Sequence, residues 1–298
     1  MKQVAGGAAV LLVAGGALYY AQHHRRADAV SANAVVDVAA DWQHDLSRVP
    51  MRMTRISDEQ EARIGDELAR AYLAADPVSS AEGRAMERYL NEVGERLAAR
   101  ARRKLHYQFH LAPDNNLINA FALPGGHVFV GQGLLDRMTS EDELAFVLGH
   151  EVEHIDHYHA VERVQIEAQL KKVNLDVLSE LAEIPISLWQ AGYSKDEEME
   201  ADREGLRLSV AAGYSPQGAV NLLERWTKLR KEYVEHAETP TDALSQLAID
   251  GLSGYFRTHP LPAERLSQAR SVISAEQLPV DRPLKRFHVD YEITAESR

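Results

Sequence analysis

The stretch VLGHEVEHIDHYHA, residues 147–160, decides how the chain is read. Between 150 and 159 it carries four histidines and three acids: His150, His154, His157, His159, Glu151, Glu153 and Asp156. Within it, His150-Glu151-Val152-Glu153-His154 spells H-E-x-x-H. On a helix, positions i and i+4 stand one turn apart on one face, so His150 and His154 can share one zinc ion. Glu151 is offset from them, toward a water beside the metal, where it is placed to act as general base. The helix is signalled independently. Ser140 and Glu143 form an S-x-x-E capping box that starts it near Glu141, and Leu144, Val147 and Leu148 supply apolar positions. His157 lies three residues beyond His154, but on a straight helix three ligands over two turns converge poorly on one ion. His157 and His159 are therefore read as surroundings of the site, and Glu153 and Asp156 as solvated.

A catalytic zinc needs a third protein ligand and an open position. The extended motif H-E-x-x-H-x-x-G-x-x-H would need Gly at 157 and His at 160, where this chain has His157 and Ala160. The alternative is a glutamate from a later helix, and the segment 193–216, YSKDEEMEADREGLRLSVAAGYSP, offers several. Helical spacing sorts them. Glu200, Arg203, Glu204 and Arg207 share a face of alternating charge, suited to solvated ion pairs. Glu197 lines up with Ala201 and Glu204. Glu198 falls with Ala201, Asp202, Gly205, Leu208 and Ala212, a small and apolar face where a carboxylate has reason to be buried if it binds metal. Glu198 is the expected third ligand. Asp202, one turn on, is placed to accept the free ring N–H of a ligand histidine and so fix its tautomer.

The rest of the sequence frames this centre. Its 298 residues suffice for a sizeable core, with 45% apolar and 26% charged residues. There are 33 basic and 45 acidic side chains, for a net charge of -12, and no long basic run, which argues against nucleic acid as a partner. With no cysteine, disulfides and thiolate ligands are excluded and any metal must use His, Asp or Glu. Residues 4–21, VAGGAAVLLVAGGALYYA, carry no charge and as a helix would span roughly 27 Å, close to a bilayer core. Lys2 precedes them, HHRR (23–26) follows, and Tyr19 and Tyr20 sit where interfacial aromatics belong. The segment 1–26 reads as a membrane anchor or as a cleaved secretory signal, and 27–56 as a tether. Nothing in the sequence specifies an oligomer.

Residues 57–104 read as helices, opened by the capping box Ser57/Gln60, with Met86, Tyr89, Val93 and Leu97 on one face. Tyr107, Phe109 and Leu111 alternate with polar residues as in a strand, and Pro124-Gly125-Gly126 marks a turn before a second strand, His127–Val130. Helix fills 160–190 with an interruption at Pro185, then 195–212 up to Gly213. Ser215 and Pro216 open another. Phe287, Val289, Tyr291 and Ile293 alternate in a tail, 284–298, that suggests a late strand. The sum is an α+β domain over 57–283, mostly helical with a small sheet.

Taken together, SDEQEARIGDELA (57–69), NAFALPGGHVFVGQGLL (119–135), LAFVLGHEVEHIDHYHA (144–160), YSKDEEMEADREGLRL (193–208), AAGYSP (211–216) and THPLPAERL (258–266) resemble the HtpX- and BepA-type zinc metallopeptidases, relatives of the CAAX prenyl endopeptidases. The family pattern S-R-x-x-E-x-x-A-D lands on Ser194, Lys195, Glu198, Ala201 and Asp202, with Lys195 in place of the usual Arg. The resemblance implies a gluzincin fold with one zinc per chain on His150, His154 and Glu198, and Glu151 as base. It places His259 of T-H-P near the zinc, to stabilise the oxyanion or to fill the fourth position and keep the enzyme latent. Arg265, one or two turns on, is expected as a donor to the oxyanion or to the groups behind the ligands. It makes 119–130 the edge strand beside the cleft, so that Asn119, Ala120, Phe121, Ala122, Gly125 and Gly126 are expected to receive an extended polypeptide. It implies the bacterial cell envelope, periplasmic side. Little sequence follows T-H-P, so the helical-repeat domain of the BepA-type members is not expected here.

Two functions are thus carried forward: a zinc endopeptidase acting on extended or misfolded envelope proteins, and a non-catalytic zinc-bearing binding or chaperone module. An intact Glu151 favours the first, because a structural site gains nothing from a base beside its metal.

Overall fold

A computed structural model of the chain describes residues 56–75, 80–171, 185–190, 192–236, 259 and 261–287. All of them belong to one compact unit, Pro50–Arg298. The N-terminal segment 4–21, residues 27–55 of the tether and residues 288–298 of the tail lie outside the described residues. Among the described residues, no helix is long and apolar enough to cross a membrane.

Two helices come first, α1 (Asp58–Ala75) and α2 (Ala81–Ala98). At the start of α1 the expected capping box is made in both directions: Ser57 N–H donates to Gln60 Oε1 and Gln60 N–H to Ser57 Oγ, each at 3.2 Å. Three strands follow, β1 (Gln108–Leu111), β2 (Ala120–Leu123) and β3 (His127–Val130). They form a mixed sheet in the order β1-β3-β2, with β1 parallel and β2 antiparallel to β3, so β2 is an edge strand. Side chains alternate between two cores. Ala120, Ala122, Val128 and Val130 face the larger cluster, built on α2 and the later helices. Phe121, Leu123 and Phe129 face the smaller one, with Ile64 and Leu68 of α1. The two-residue period of a strand thus serves both faces of a small sheet buried on either side.

After a short helix α3 (Gln132–Leu135), the motif helix α4 (Glu141–Asp156) runs through the middle of the unit, buried along its whole length. Its expected capping box is half made. Ser140 Oγ accepts from Glu143 N–H at 3.3 Å, but the Glu143 carboxylate reaches past Ser140 to Thr139, accepting from its N–H at 2.9 Å and its hydroxyl at 2.7 Å. Then come α5 (His159–Lys171), α6 (Ser187–Gln190), α7 (Lys195–Ala211), α8 (Gln217–His236) and α9 (Pro262–Ala275). α7 ends at Gly213, whose φ of 93° only glycine adopts without strain.

The crossing of α4 and α7 is a close backbone approach, and glycine makes it possible. A Cβ on Gly149 would lie 2.8 Å from the Gly205 carbonyl oxygen, and one on Gly205 would lie 2.6 Å from the His150 nitrogen. Backbone therefore meets backbone one residue from the first histidine of the motif.

The described part of the tail docks away from the sheet. Lys285 pairs its backbone with the first turn of α4, donating to Asp142 Oδ2 at 2.6 Å and accepting from Glu141 N–H at 3.0 Å. Phe287 packs beside Tyr89, ring centroids 6.1 Å apart.

Candidate metal centre

The α4–α7 crossing sets His150, His154 and Glu198 against one another. His150 Nε2 and His154 Nε2 are 3.1 Å apart, and the Glu198 oxygens lie 3.4 Å from the first and 3.7 Å from the second. Two ligands at about 2.05 Å from a tetrahedral ion stand roughly 3.3 Å apart. The three donors are thus at the spacing of ligands around a shared cation, and all three residues are buried. Two imidazole nitrogens and a carboxylate suit zinc.

The phase of α7 explains why Glu198, and neither acidic neighbour, is the one presented. Ser194 and Glu197 close a reciprocal capping box, Ser194 N–H donating to Glu197 Oε2 at 3.0 Å and Glu197 N–H to Ser194 Oγ at 3.4 Å. Glu197 is spent on the cap, and the next residue turns inward toward α4. One oxygen of Glu198 also accepts from Tyr193 N–H at 3.0 Å.

Behind the ligands lies a second layer of bonds. His150 Nδ1 meets Asp202 Oδ1 at 2.9 Å, and Arg265 from α9 holds Asp202 with two bonds, Nε to Oδ2 at 2.7 Å and Nη2 to Oδ1 at 2.6 Å. With Asp202 accepting the Nδ1–H, the Nε2 lone pair of His150 is left for the metal. Of the two places expected for Arg265, the oxyanion or the groups behind the ligands, its bonds go to the second, the carboxylate behind His150. His154 Nδ1 meets His159 Nδ1 at 3.0 Å, and the Tyr193 ring lies flat on the His154 ring, centroids 3.9 Å apart. Tyr193 was not singled out from the sequence, and only its place next to the α7 cap hinted at it. Its hydroxyl is buried with no hydrogen-bond partner.

Electrostatics follow from this packing. Burial opposes charge on His150, but the bonds to Asp202 and Glu198 outweigh it and push its pKa up to about 10. Burial and the charge on His150 drive His154 well below the usual histidine range. Burial would raise Glu198 and Asp202, yet the neighbouring His259 and His150 hold the first well down and Arg265 holds the second down. Burial also pushes Glu151 up to about 7 and His159 down to about 4.

Asn119, Ala120 and Phe121 line a cavity of about 190 Å³, counting its open mouth, together with Glu151, Tyr193 and His259. The Ala122 backbone hydrogen-bonds the Glu151 carboxylate. His259 bridges the mouth: Nδ1 lies 2.7 Å from Glu198 Oε2 and Nε2 lies 3.3 Å from Asn119 Oδ1. Gly125 and Gly126 are elsewhere. They form a turn at φ 76° and 110°, where a Cβ would strike Ala62 of α1 and the His106 carbonyl, and they do not line the cavity. Their glycine identity serves that close packing.

Two other expectations are corrected. Glu153 and Asp156 are buried, not solvated. Asp156 accepts the Tyr107 hydroxyl at 2.6 Å and the N–H groups of Arg102 and Arg103 at 2.6 and 3.2 Å. Glu153 faces His157 Nε2 at 3.2 Å and Arg102 at 3.6 Å.

An H-E-x-x-H helix, a glutamate from a later helix and a sheet edge beside them define the class: metallopeptidases that hold their metal on two histidines and a glutamate. The chain belongs to peptidase family M48, whose profile matches residues 84–273, in agreement with the resemblance carried by its motifs. Among similar curated proteins are the beta-barrel assembly-enhancing protease of Escherichia coli K12, 27% identical over 82% of this chain and 51% of the relative, and its putative counterpart in Vibrio cholerae, 29% identical over 79% and 48%. The mitochondrial metalloendopeptidase OMA1 of Arabidopsis thaliana is 31% identical over 52% of this chain and 29% of its own length. The chain spans about half the length of the first two.

Proposed function

We propose that this chain is a zinc-dependent endopeptidase that hydrolyses peptide bonds in extended or misfolded proteins of the cell envelope, with 57–283 as the catalytic domain. The observation that carries this reading is the buried Glu151 carboxylate, turned to the same cavity as His154, Glu198 and the edge strand. His150, His154 and Glu198 hold the ion. Zinc, when bound, supplies a Lewis acid that polarises a scissile carbonyl and lowers the pKa of water.

The remaining work falls to the chain's own residues. An extended substrate adds to β2 as a further strand, pairing its backbone with that of Asn119–Phe121, which sets one peptide bond across the cavity. Glu151, with a pKa raised toward neutrality, takes a proton from the attacking water and delivers it to the leaving amine. Asp202 and Arg265 keep the His150 ring in one tautomer. Glu151→Gln keeps the shape and the ligands but removes the base. The expected result is full zinc content with peptide hydrolysis reduced by about 10²-fold or more; hydrolysis at the parental rate would remove Glu151 as the base, and a zinc-loaded parent that cleaves no peptide would leave the metal-bearing binding module as the reading.

His259 acts as a gate. Its Nδ1 lies 2.7 Å from Glu198 Oε2, and its ring lines the same cavity as Glu151 and Asn119. His259→Ala is expected to raise the rate on an unstructured peptide with zinc content unchanged. An unchanged rate removes the gate, and a lower rate assigns His259 to oxyanion stabilisation instead.

The envelope setting rests on the uncharged segment 4–21 as a membrane anchor or export signal, with the domain on the periplasmic side, and on relatives named for beta-barrel assembly. Fractionation of full-length chain checks it: cytosolic recovery would discard that setting.

A further inference from the structure

We propose that His157, His159 and Glu200 form a second divalent-cation site, accessible from outside, whose occupation works against the first. It goes beyond the peptidase reading, and its coupling step rests on His154 being a ligand of the catalytic ion.

The backbone brings these residues together. His157 caps α4, and Tyr158 then takes a φ of 67°, the left-handed conformation that a bulky residue rarely adopts. On an unbroken helix His157 and His159 would point roughly 200° apart. The break turns them to one side, ring centroids 5.6 Å apart and planes inclined by 33°. Glu200, from the second turn of α7, completes the group: its Oε2 lies 3.3 Å from His157 Nδ1 and 3.6 Å from His159 Nε2. These separations lie at and a little above the roughly 3.3 Å edge of a tetrahedral site. A donor atom from each of the three lies within 4.8 Å of the others.

A carboxylate also stands behind the first ligand. His157 Nε2 is buried and makes no hydrogen bond, yet it lies 3.2 Å from Glu153 Oε2. With Nδ1 on a cation, the proton on Nε2 faces that carboxylate, the arrangement that orients ligand histidines. Arg102 approaches Glu153 and Arg203 approaches Glu200, each at 3.6 Å, so the group is only loosely neutralised. The Glu200 side chain is 37% exposed, which gives an ion a route in.

The hydrogen-bond inventory sets the sign of the coupling. With His154 Nε2 on the catalytic ion, its Nδ1 carries the proton and donates to His159 Nδ1, 3.0 Å away. Neutral His159 then carries its own proton on Nε2, the atom that faces Glu200. A second cation on that nitrogen demands the other tautomer, which would set N–H against N–H. The contact must open, and His154 loses the acceptor that fixes its ring. Two sites joined through one such bond disfavour each other, typically about fivefold or more.

The test uses the full chain carrying one zinc ion, dialysed against rising Zn²⁺ with bound metal counted by atomic emission. The same samples hydrolyse an unstructured peptide, each variant compared with its own rate before addition. The parent is expected to take up a second ion while its rate falls at least about fivefold. His157→Ala and Glu200→Gln, two independent variants, are expected to stop at one ion and keep their rates. A parent that stops at one ion, or variants that both take up two, overturns the site. A second ion without loss of rate overturns the coupling. The metal count needs no hydrolysis, so failure of the peptidase reading leaves it standing.

Discussion

Two groups of two histidines and one glutamate lie side by side, the first on α4 and α7, the second joining the cap of α4, the start of α5 and α7, and their supports differ. His150, His154 and Glu198 are buried, and the Gly149–Gly205 crossing fixes the backbones that carry them. Each ligand has a further bond behind it, to Asp202, His159 or the Tyr193 N–H. His157, His159 and Glu200 have the same donor chemistry, but the two histidines straddle a helix break and Glu200 reaches the surface. The first group is held by regular helix and close packing. The second depends on one left-handed residue. Similar ligands can therefore make a permanent site or a loaded-on-demand site, according to what holds the backbone.

Gly205→Ala attacks the stronger support. The added methyl would sit 2.6 Å from the His150 nitrogen, and backbone atoms cannot turn aside as a side-chain tip can. Separating the helices should cost about 3 kcal/mol and weaken metal binding at the first site together with the fold. Thermal unfolding and competition with a chelator read both. Unchanged affinity would mean that the crossing does not set the ligand spacing.

Arg265→Gln should be milder. It leaves α4 and α7 in place and removes both bonds to the Asp202 carboxylate. Asp202 is then free to turn from His150, and loss of such an orienting partner lowers metal affinity about 10- to 100-fold. Chelator competition checks the figure. A shift below that range would show that packing alone fixes His150.

Much of the first group was legible because helical periodicity is local. H-E-x-x-H, the cap at Ser140 and the small apolar face of α7 placed His150, Glu151, His154, Glu198 and Asp202 toward one centre before any contact was known. What periodicity missed depended on distant partners. Asp156 reads as solvated when only its own helix is considered, yet Tyr107 and the Arg102–Arg103 backbone hold it in the interior. Gly125 and Gly126 looked like part of the substrate strand, when α1 presses against the turn and requires them. A straight helix keeps His157 from the first ion; what spacing does not foretell is the break at Tyr158, which brings His157 and His159 to one side.

Tyr158→Gly is the smallest and sharpest of these changes. Glycine accepts φ 67° freely, relieving roughly 1 kcal/mol of strain. It also frees the unfolded chain and removes the ring that lies under the Arg103 guanidinium, 4.1 Å from its centre. The gains and losses nearly cancel, so stability should move by less than about 1 kcal/mol. The break itself survives but loses its stiffness. Affinity for the second cation should therefore fall several-fold, while the first ion, held by the α4–α7 crossing, changes less. Equal weakening at both sites would show that the two groups share one support, and the contrast between them would dissolve.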